Sequence, residues 1–473
     1  MPALRIWLVI LIASPAMAMA EDATPESADQ VSYYRDVRPI LQGNCQGCHQ
    51  PAKRGGDYLM TDHQSLLTGG ESGSEAIVAV DPAASYLVEL ITPVDGKAEM
   101  PKGKPPLSEA DQKIILTWIL QGAKDDTPDS AKDKYDAEHP PTYVRPPVLT
   151  SVTFSPDGQL LAVSGYHEVL LQNADGSGIA GRLVGMSERI ESLAFSPDGK
   201  LLAVAGGSPG RLGELQVWNV ADRKLAYSIP VSYDNVYGAS WSPDGSLIAI
   251  GCGDNSVRGF DATSGQQVFF NGAHGDWALD TVFSKDGSHL VSVSRDMAVK
   301  LYEVKTQRFV DNVTSITPGA LKGGINAVAR RPNEDQVLIG GADGVPKIYR
   351  LFREKARKIG DDFNKIKDFP EMPGRIYDVA FTSDAAKAVA CSSFDGTGHI
   401  HVFTVADGKK VLELEGPMGA PLHAVYSISI SPDNKRIASV GFDGEVLLHD
   451  LETGKQLKQF PAVPITPQTA SNQ

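Results

Sequence analysis

FSPDGKLLAVAGG, residues 195–207, is the stretch on which the reading of the fold turns. An apolar strand pattern enters a Ser-Pro-Asp-Gly turn and leaves as a second apolar strand. Pro at the second turn position presets φ, and Gly suits the end of a type I turn. The same unit returns as FSPDG at 154–158 and WSPDG at 241–245. Weaker copies are FSKDG at 283–287, ARRPNED at 329–335, FTSDA at 381–385 and ISPDN at 430–434. Equivalent positions recur every 41 to 51 residues or so, close to the length of a four-stranded propeller blade. Later in the copies a tight turn carries Asp254, Asp296, Asp343, Asp395 or Asp443 before a third strand. That strand usually ends in an aromatic residue: Trp218, Phe260, Tyr302, Tyr349 or Phe403. Seven copies predict an all-β, seven-bladed propeller over 148–461.

The turn Asp and the closing aromatic resemble the WD-repeat family, over about two-thirds of the chain. The Trp-Asp pair itself is replaced by forms such as Trp218-Asn219 and Phe260-Asp261. An insertion at about 351–374 holds Arg353, Lys355, Arg357, Lys358, Lys365 and Lys367. It reads as a solvated loop or, more pointedly, as a partner-docking patch. His399 and His401 alternate on a strand and so share a face. They would make half a metal site, with no Asp, Glu or Cys in sequence register to complete it. Cys252 and Cys391 sit in separate copies and read as small apolar packing residues.

Around the repeats, the 473 residues carry 44 Lys plus Arg against 58 Asp plus Glu, a net charge of −14. Binding of nucleic acid by bulk charge is excluded, because phosphate selects basic surfaces. With 42% hydrophobic residues the chain can bury sizeable cores, and four cysteines are too few for a disulfide scaffold. Residues 1–20 read as a signal peptide: Arg5, an uncharged run Ile6 to Ile12, then small residues to Ala20. An exported, periplasmic protein with no transmembrane segment in the mature chain is expected. Residues 21–30 form an acidic leader, 127–147 a Pro-rich charged linker and 462–473 a disordered tail.

Residues 31–126 show helix signals. Ser32 caps a helix with an apolar face of Tyr34, Val37, Ile40 and Leu41. Asp81-Pro82 opens a second, through Leu87, Leu90 and Ile91. Ser108 with Asp111 makes a capping box before Ile114, Ile115, Trp118 and Ile119, and Gly122 stops that helix. Inside this segment lies Cys45-Gln46-Gly47-Cys48-His49, the attachment sequence for c-type haem. Two thiols three positions apart can both reach the vinyl groups of haem, and the following His can ligate the iron. A Cys45–Cys48 disulfide or a thioredoxin-like motif competes weakly, since no βαβ pattern surrounds the pair. Zinc would need a second ligand pair. For the sixth iron ligand the segment offers Met60, His63 and Met100. Met100, in a Lys- and Pro-rich loop before the last helix, has the position of a distal Met, and Met60 reads as core.

The runs YRDVRPILQGNCQGCHQP (34–51), LLTGGESGSEAIV (66–78) and EMPKGKPPLSEADQKIILTWILQGA (99–123) resemble the planctomycete-type cytochrome c domain. That resemblance implies one covalent haem c, attached at Cys45 and Cys48, ligated by His49, with Met100 as the matching distal residue. The chain thus reads as multidomain: a small all-α cytochrome c domain followed by the propeller. Lys53, Arg54, Lys97, Lys102 and Lys104 form a basic rim on an otherwise acidic segment, suited to a redox partner protein. The expected function is electron transfer with the propeller as docking scaffold, more a binding protein than a catalyst. The alternatives are an oxidoreductase whose propeller binds a substrate and a haem-based interaction or sensor protein.

Overall fold

The computed structural model describes residues 30–50, 53–128, 135–316, 322–358 and 360–466. The signal-peptide and leader expectations fall outside these residues, apart from Gln30.

The first region is small and helical. Ser32 caps a wide helical turn, Tyr33–Val37, its hydroxyl accepting from the Arg35 amide at 2.9 Å. The turn runs into α1 (Arg38–Asn44), followed by α2 (His63–Thr68), α3 (Tyr86–Ile91) and α4 (Glu109–Leu120). The wide turn shifts the helical phase, so Tyr33 rather than Tyr34 joins Val37, Ile40 and Leu41 in the core. Asp81 caps only a turn, accepting from the Ala84 amide; α3 itself starts after Ser85. At α4 the Ser108 hydroxyl accepts from the Asp111 amide and donates to the Asp111 carboxylate. Ile115, Trp118 and Ile119 of α4 pack on the Val37–Leu41 face, and Gly122, at φ +98, ends the helix in a conformation that favours glycine.

Among the described residues, the second region holds seven units of four consecutive antiparallel strands, the sixth with a short extra strand, Leu422–His423. The first two units share one long strand, Ile179–Phe195. Its first half pairs with Tyr166–Asn173 and its second half with Leu201–Ser208. Each repeat turn is held locally. In 195–199, Ser196 Oγ donates to Asp198, Leu201 N donates back to Ser196 Oγ, and Gly199 sits at φ +73. Ala385 and Asn434 take the equivalent position at φ +59 and +57, so these two weak copies keep the turn against a Cβ penalty, whereas the copy at 329–335 has no residue at positive φ.

Inner strands pack side by side from unit to unit: Val236–Trp241, Ala278–Phe283, Ile325–Arg330, Arg375–Phe381, Val425–Ile430 and back to Val152–Phe154. Hydrogen bonds stitch neighbouring units. Ser192 Oγ accepts from Ala239 N, Asp280 from Val328 N and Asp378 from Ile428 N. Ser427 and Ser429 of the last unit accept from Val152 N and Phe154 N of the first. Two expected boundaries move as a result. Tyr143 of the supposed linker and Ala462 and Val463 of the supposed tail are buried in one cluster joining first and last units. Tyr143 also pairs with Ile465 in a parallel bridge. The buried apolar face of Tyr143 needs a partner, and the returning end of the chain supplies it.

Candidate functional site

The Cys45–His49 loop is built by the end of α1. Cys45 N donates to Leu41 O, and Cys48 N and His49 N both donate to Cys45 O, curling the motif into a turn. His49–Gln50 then pairs with Lys53–Arg54 in a two-stranded hairpin. Gly55 N donates to Cys48 O, and a Cβ on Gly55 would lie 3.1 Å from that oxygen and 3.5 Å from His49 Cε1. The turn therefore leaves little room beside the imidazole.

His49 Nδ1 lies 3.3 Å from the Tyr58 carbonyl oxygen. As a donor it fixes the tautomer and leaves Nε2 with its lone pair, as histidine ligands of metals commonly do. Burial lowers the His49 pKa, with hydrogen bonds to the Tyr58 and Gly55 backbone acting the other way; the neutral, ligating form is favoured. Burial pushes the Cys45 thiol up to about 12, against the nearby charge of Lys104. Neither Cys45 nor Cys48 is in a disulfide, and Cys48 is exposed. Cys45, Tyr58, Leu67, Val88, Met100 and Ile114 are partly buried apolar groups on the edge of the helical core. Two thiols, an oriented imidazole and this apolar edge carrying a thioether are a donor set that fits haem c.

The other expected residues divide. Met100 N is anchored to Leu90 O, and its half-buried side chain packs against the helical core, as that of Cys45 does. Met60 is 1% exposed, with its backbone bonded to His49 and Gln46, a core position. His63 Nε2 is engaged with the Ala123 carbonyl at 2.8 Å, its ring packed on Tyr33 and Trp118. In the basic rim, Arg54, Lys97, Lys102 and Lys104 are exposed. Lys53 is not free: its Nζ donates to the Ala226 carbonyl, 2.7 Å away on the outer strand Lys224–Ser232 of the second unit. The basic insertion is not a free patch either. Arg353 pairs with Asp311 and Asp361, Arg357 with Asp311, and Lys367 bonds the Val405 and Ala406 carbonyls. Those cations tie the insertion to its own and neighbouring units.

Three features escaped the sequence reading. The Tyr58 carbonyl orients His49 through its backbone, which leaves no residue-type signal. Gly47 lies against the second unit: a Cβ there would stand 2.5 Å from Ser228 O and 3.3 Å from Pro230 Cδ. Glu413 completes a group with His399 and His401, because strand pairing sets it opposite His401. Among the described residues, no helix is long and apolar enough to cross a membrane.

Residues 45–103 match the family described as Planctomycete cytochrome C. Residues 180–219, 224–261, 265–303 and 408–450 match the WD domain, G-beta repeat. Among curated proteins, the chain is similar to Periodic tryptophan protein 2 of Arabidopsis thaliana, 26% identical over 52% of this chain and 25% of the relative. It is also similar to Eukaryotic translation initiation factor 3 subunit I of Drosophila pseudoobscura pseudoobscura, 25% identical over 39% of this chain and 56% of the relative. The WD repeat-containing protein 26 homolog of Arabidopsis thaliana is 25% identical over 46% of this chain and 34% of that protein. The chain thus spans between a quarter and just over half the length of these relatives. A planctomycete-type cytochrome c domain and an array of WD repeats are joined in this one chain.

Proposed function

We propose that the protein is an exported, periplasmic monohaem cytochrome c whose WD array is a seven-bladed propeller serving as a protein-docking scaffold. The observation that carries this reading is the Cys45–His49 turn with its imidazole held by the Tyr58 carbonyl. Seven four-stranded units, with the last stitched to the first by Ser427 and Ser429, support the propeller. Cys45 and Cys48 would hold one haem by thioethers, and His49 and Met100 would ligate its iron. Such a haem supplies a one-electron iron centre. The chain's own work is to orient His49, to supply an apolar edge, and to keep the segment fixed on the second unit through Gly47 and Lys53. Exposed Lys97, Lys102 and Lys104 on the Met100 loop present positive charge to an acidic partner.

An oxidoreductase reading has one observation on its side. A cavity of about 690 Å³ opens where the inner strands converge, lined by Asp280, Asn326, Tyr377 and Tyr426 among others. Two of its carboxylates, Asp280 and Asp378, are already engaged with backbone amides of the next unit, so the scaffold reading is preferred. The test is haem content after export and denaturation. The wild type should keep one haem through acid–acetone treatment, and the Cys45→Ala, Cys48→Ala double variant none. Extraction of the haem from wild type would overturn the covalent assignment.

A further inference from the structure

The fourth and sixth units use buried histidine differently. In the fourth, His274 Nδ1 pairs with Asp296 at 2.9 Å and Nε2 with Ser292 Oγ at 2.6 Å, which donates on to the Tyr302 hydroxyl. Every ring nitrogen has a partner. In the sixth, His399 and His401 lie on one face of the strand Thr397–Thr404, and the outer strand Lys410–Leu414 sets Glu413 opposite His401. Glu413 Oε1 is 3.3 Å from His401 Nε2 and 3.5 Å from His399 Nδ1. The three donor atoms lie within 4.8 Å of one another.

His401 is 4% exposed; its Nδ1 is buried with no hydrogen bond, and its Nε2 faces only Glu413 at 3.3 Å. Ser392 Oγ, whose residue pairs with His399 in the ladder, is also buried without a hydrogen bond. A buried imidazole nitrogen without a hydrogen bond is rare in native proteins and calls for an ion or a water. The spacing favours an ion. Tetrahedral zinc, with bonds of about 2.0–2.2 Å, separates its ligand atoms by roughly 3.3 Å, which the two N···O distances match. Lys410 Nζ occupies Glu413 Oε2 at 2.7 Å, which leaves Oε1 for the ion. Lys410 is also the cation that opposes occupancy.

We propose that His399, His401 and Glu413 form a divalent-cation site of the zinc class, with a fourth position left to water or to a partner's donor group. It clips the third strand to the outer strand of the sixth unit and is independent of the haem assignment. The test uses tag-free, haem-loaded, full-length protein, dialysed against micromolar zinc and then metal-free buffer, with bound zinc counted by mass spectrometry. Wild type should retain about one zinc per chain, and His399→Ala and Glu413→Gln should each lower retention at least ~tenfold. His401 is buried, and its loss could unfold the unit. The half-exposed His399 and Glu413 therefore carry the test, with an unchanged haem spectrum and metal-free melting curve as the check on folding. The Cys45→Ala, Cys48→Ala variant should keep its zinc, which removes the thiols as the source. No zinc on wild type, or equal zinc on His399→Ala and Glu413→Gln, overturns the proposal.

Discussion

The helical segment and the strand array bury residues for opposite ends. In the array one turn is built over and over, and single copies tolerate loss of their best residue: Ala385 and Asn434 stand at positive φ where other copies have Gly. Its half-buried polar groups, such as Ser192, Asp280 and Asp378, bond the neighbouring unit. In the helical segment nothing is repeated. The two thiols, the imidazole held by Tyr58 and the Met100 thioether each occur once. Redundancy makes a frame robust, and single-copy groups make chemistry fragile, so substitutions should act sharply in one region and mildly in the other.

The sharpest single-residue contrast lies between two methionines in the helical segment. Met100 is half-buried against the helical core, and Met60 is sealed inside it. Met100→Ala should leave haem attached but open the sixth position. The oxidised protein should lose its weak far-red absorption band, the reduced protein should bind carbon monoxide, and the potential should fall, since a thioether opposite histidine raises it. Met60→Leu, a volume-conserving core change, should alter none of these. The assignment fails if Met60→Leu or His63→Ala abolishes the band while Met100→Ala keeps it.

A smaller effect is expected where the two regions meet. Gly47 has no room for a side chain against Ser228 and Pro230, whereas Gly43 of α1 has nothing within 4 Å of its Cβ position. Gly47→Val should push the helical segment off the second unit, keeping Cys45, Cys48 and His49 and thus the haem spectrum. Small-angle scattering should then show a larger radius of gyration, and Gly43→Ala should not. An unchanged radius for Gly47→Val would mean that the contact does not hold the regions together.

Most of the frame was legible in the sequence, because its turns close within five residues through Ser and Asp side chains and the positive φ of Gly. The Cys45–His49 turn was legible for the same reason: its thiols and imidazole are fixed by spacing. What was hidden depends on pairing between distant strands or on phase. Glu413 reaches His401 across a ladder with a register shift between Val402 and Phe403, which no spacing rule supplies. The wide turn at Tyr33–Val37 exchanged Tyr33 for Tyr34 in the core. Ala462 and Val463 looked like tail because the partner that buries them, Tyr143, lies some three hundred residues earlier. Lys53 looked like a free rim cation because its acceptor is a backbone carbonyl of the other region.

The mildest prediction concerns the stitching of the array. Burial raises Asp280 to about 7, with Asp378 adding to the effect and the Val328 amide opposing it; burial likewise raises Asp378 to about 6. Both values lie above the ordinary 3.8. Below about pH 4 folded and unfolded chains both hold these protons. Between pH 4 and 7 the unfolded chain releases them first, so stability falls as pH rises through that window. At about 1.4 kcal/mol for each tenfold in proton affinity, the pair contributes at most about 7 kcal/mol, and less because both residues are only half-buried. The turn carboxylates act in the other direction and at lower pH: Asp198 and Asp286 are held down to about 2 by their Ser and backbone partners, and what they add is lost as pH falls below about 4. Melting curves at pH 5 and pH 8 separate the two groups. Asp280→Asn removes one proton-binding site, and its lost cross-unit hydrogen bond costs the same at both pH values. Wild type should therefore lose a few degrees more than Asp280→Asn between pH 5 and pH 8. Parallel losses in the two proteins would show that Asp280 ionises normally in the folded array and contributes nothing to its pH dependence.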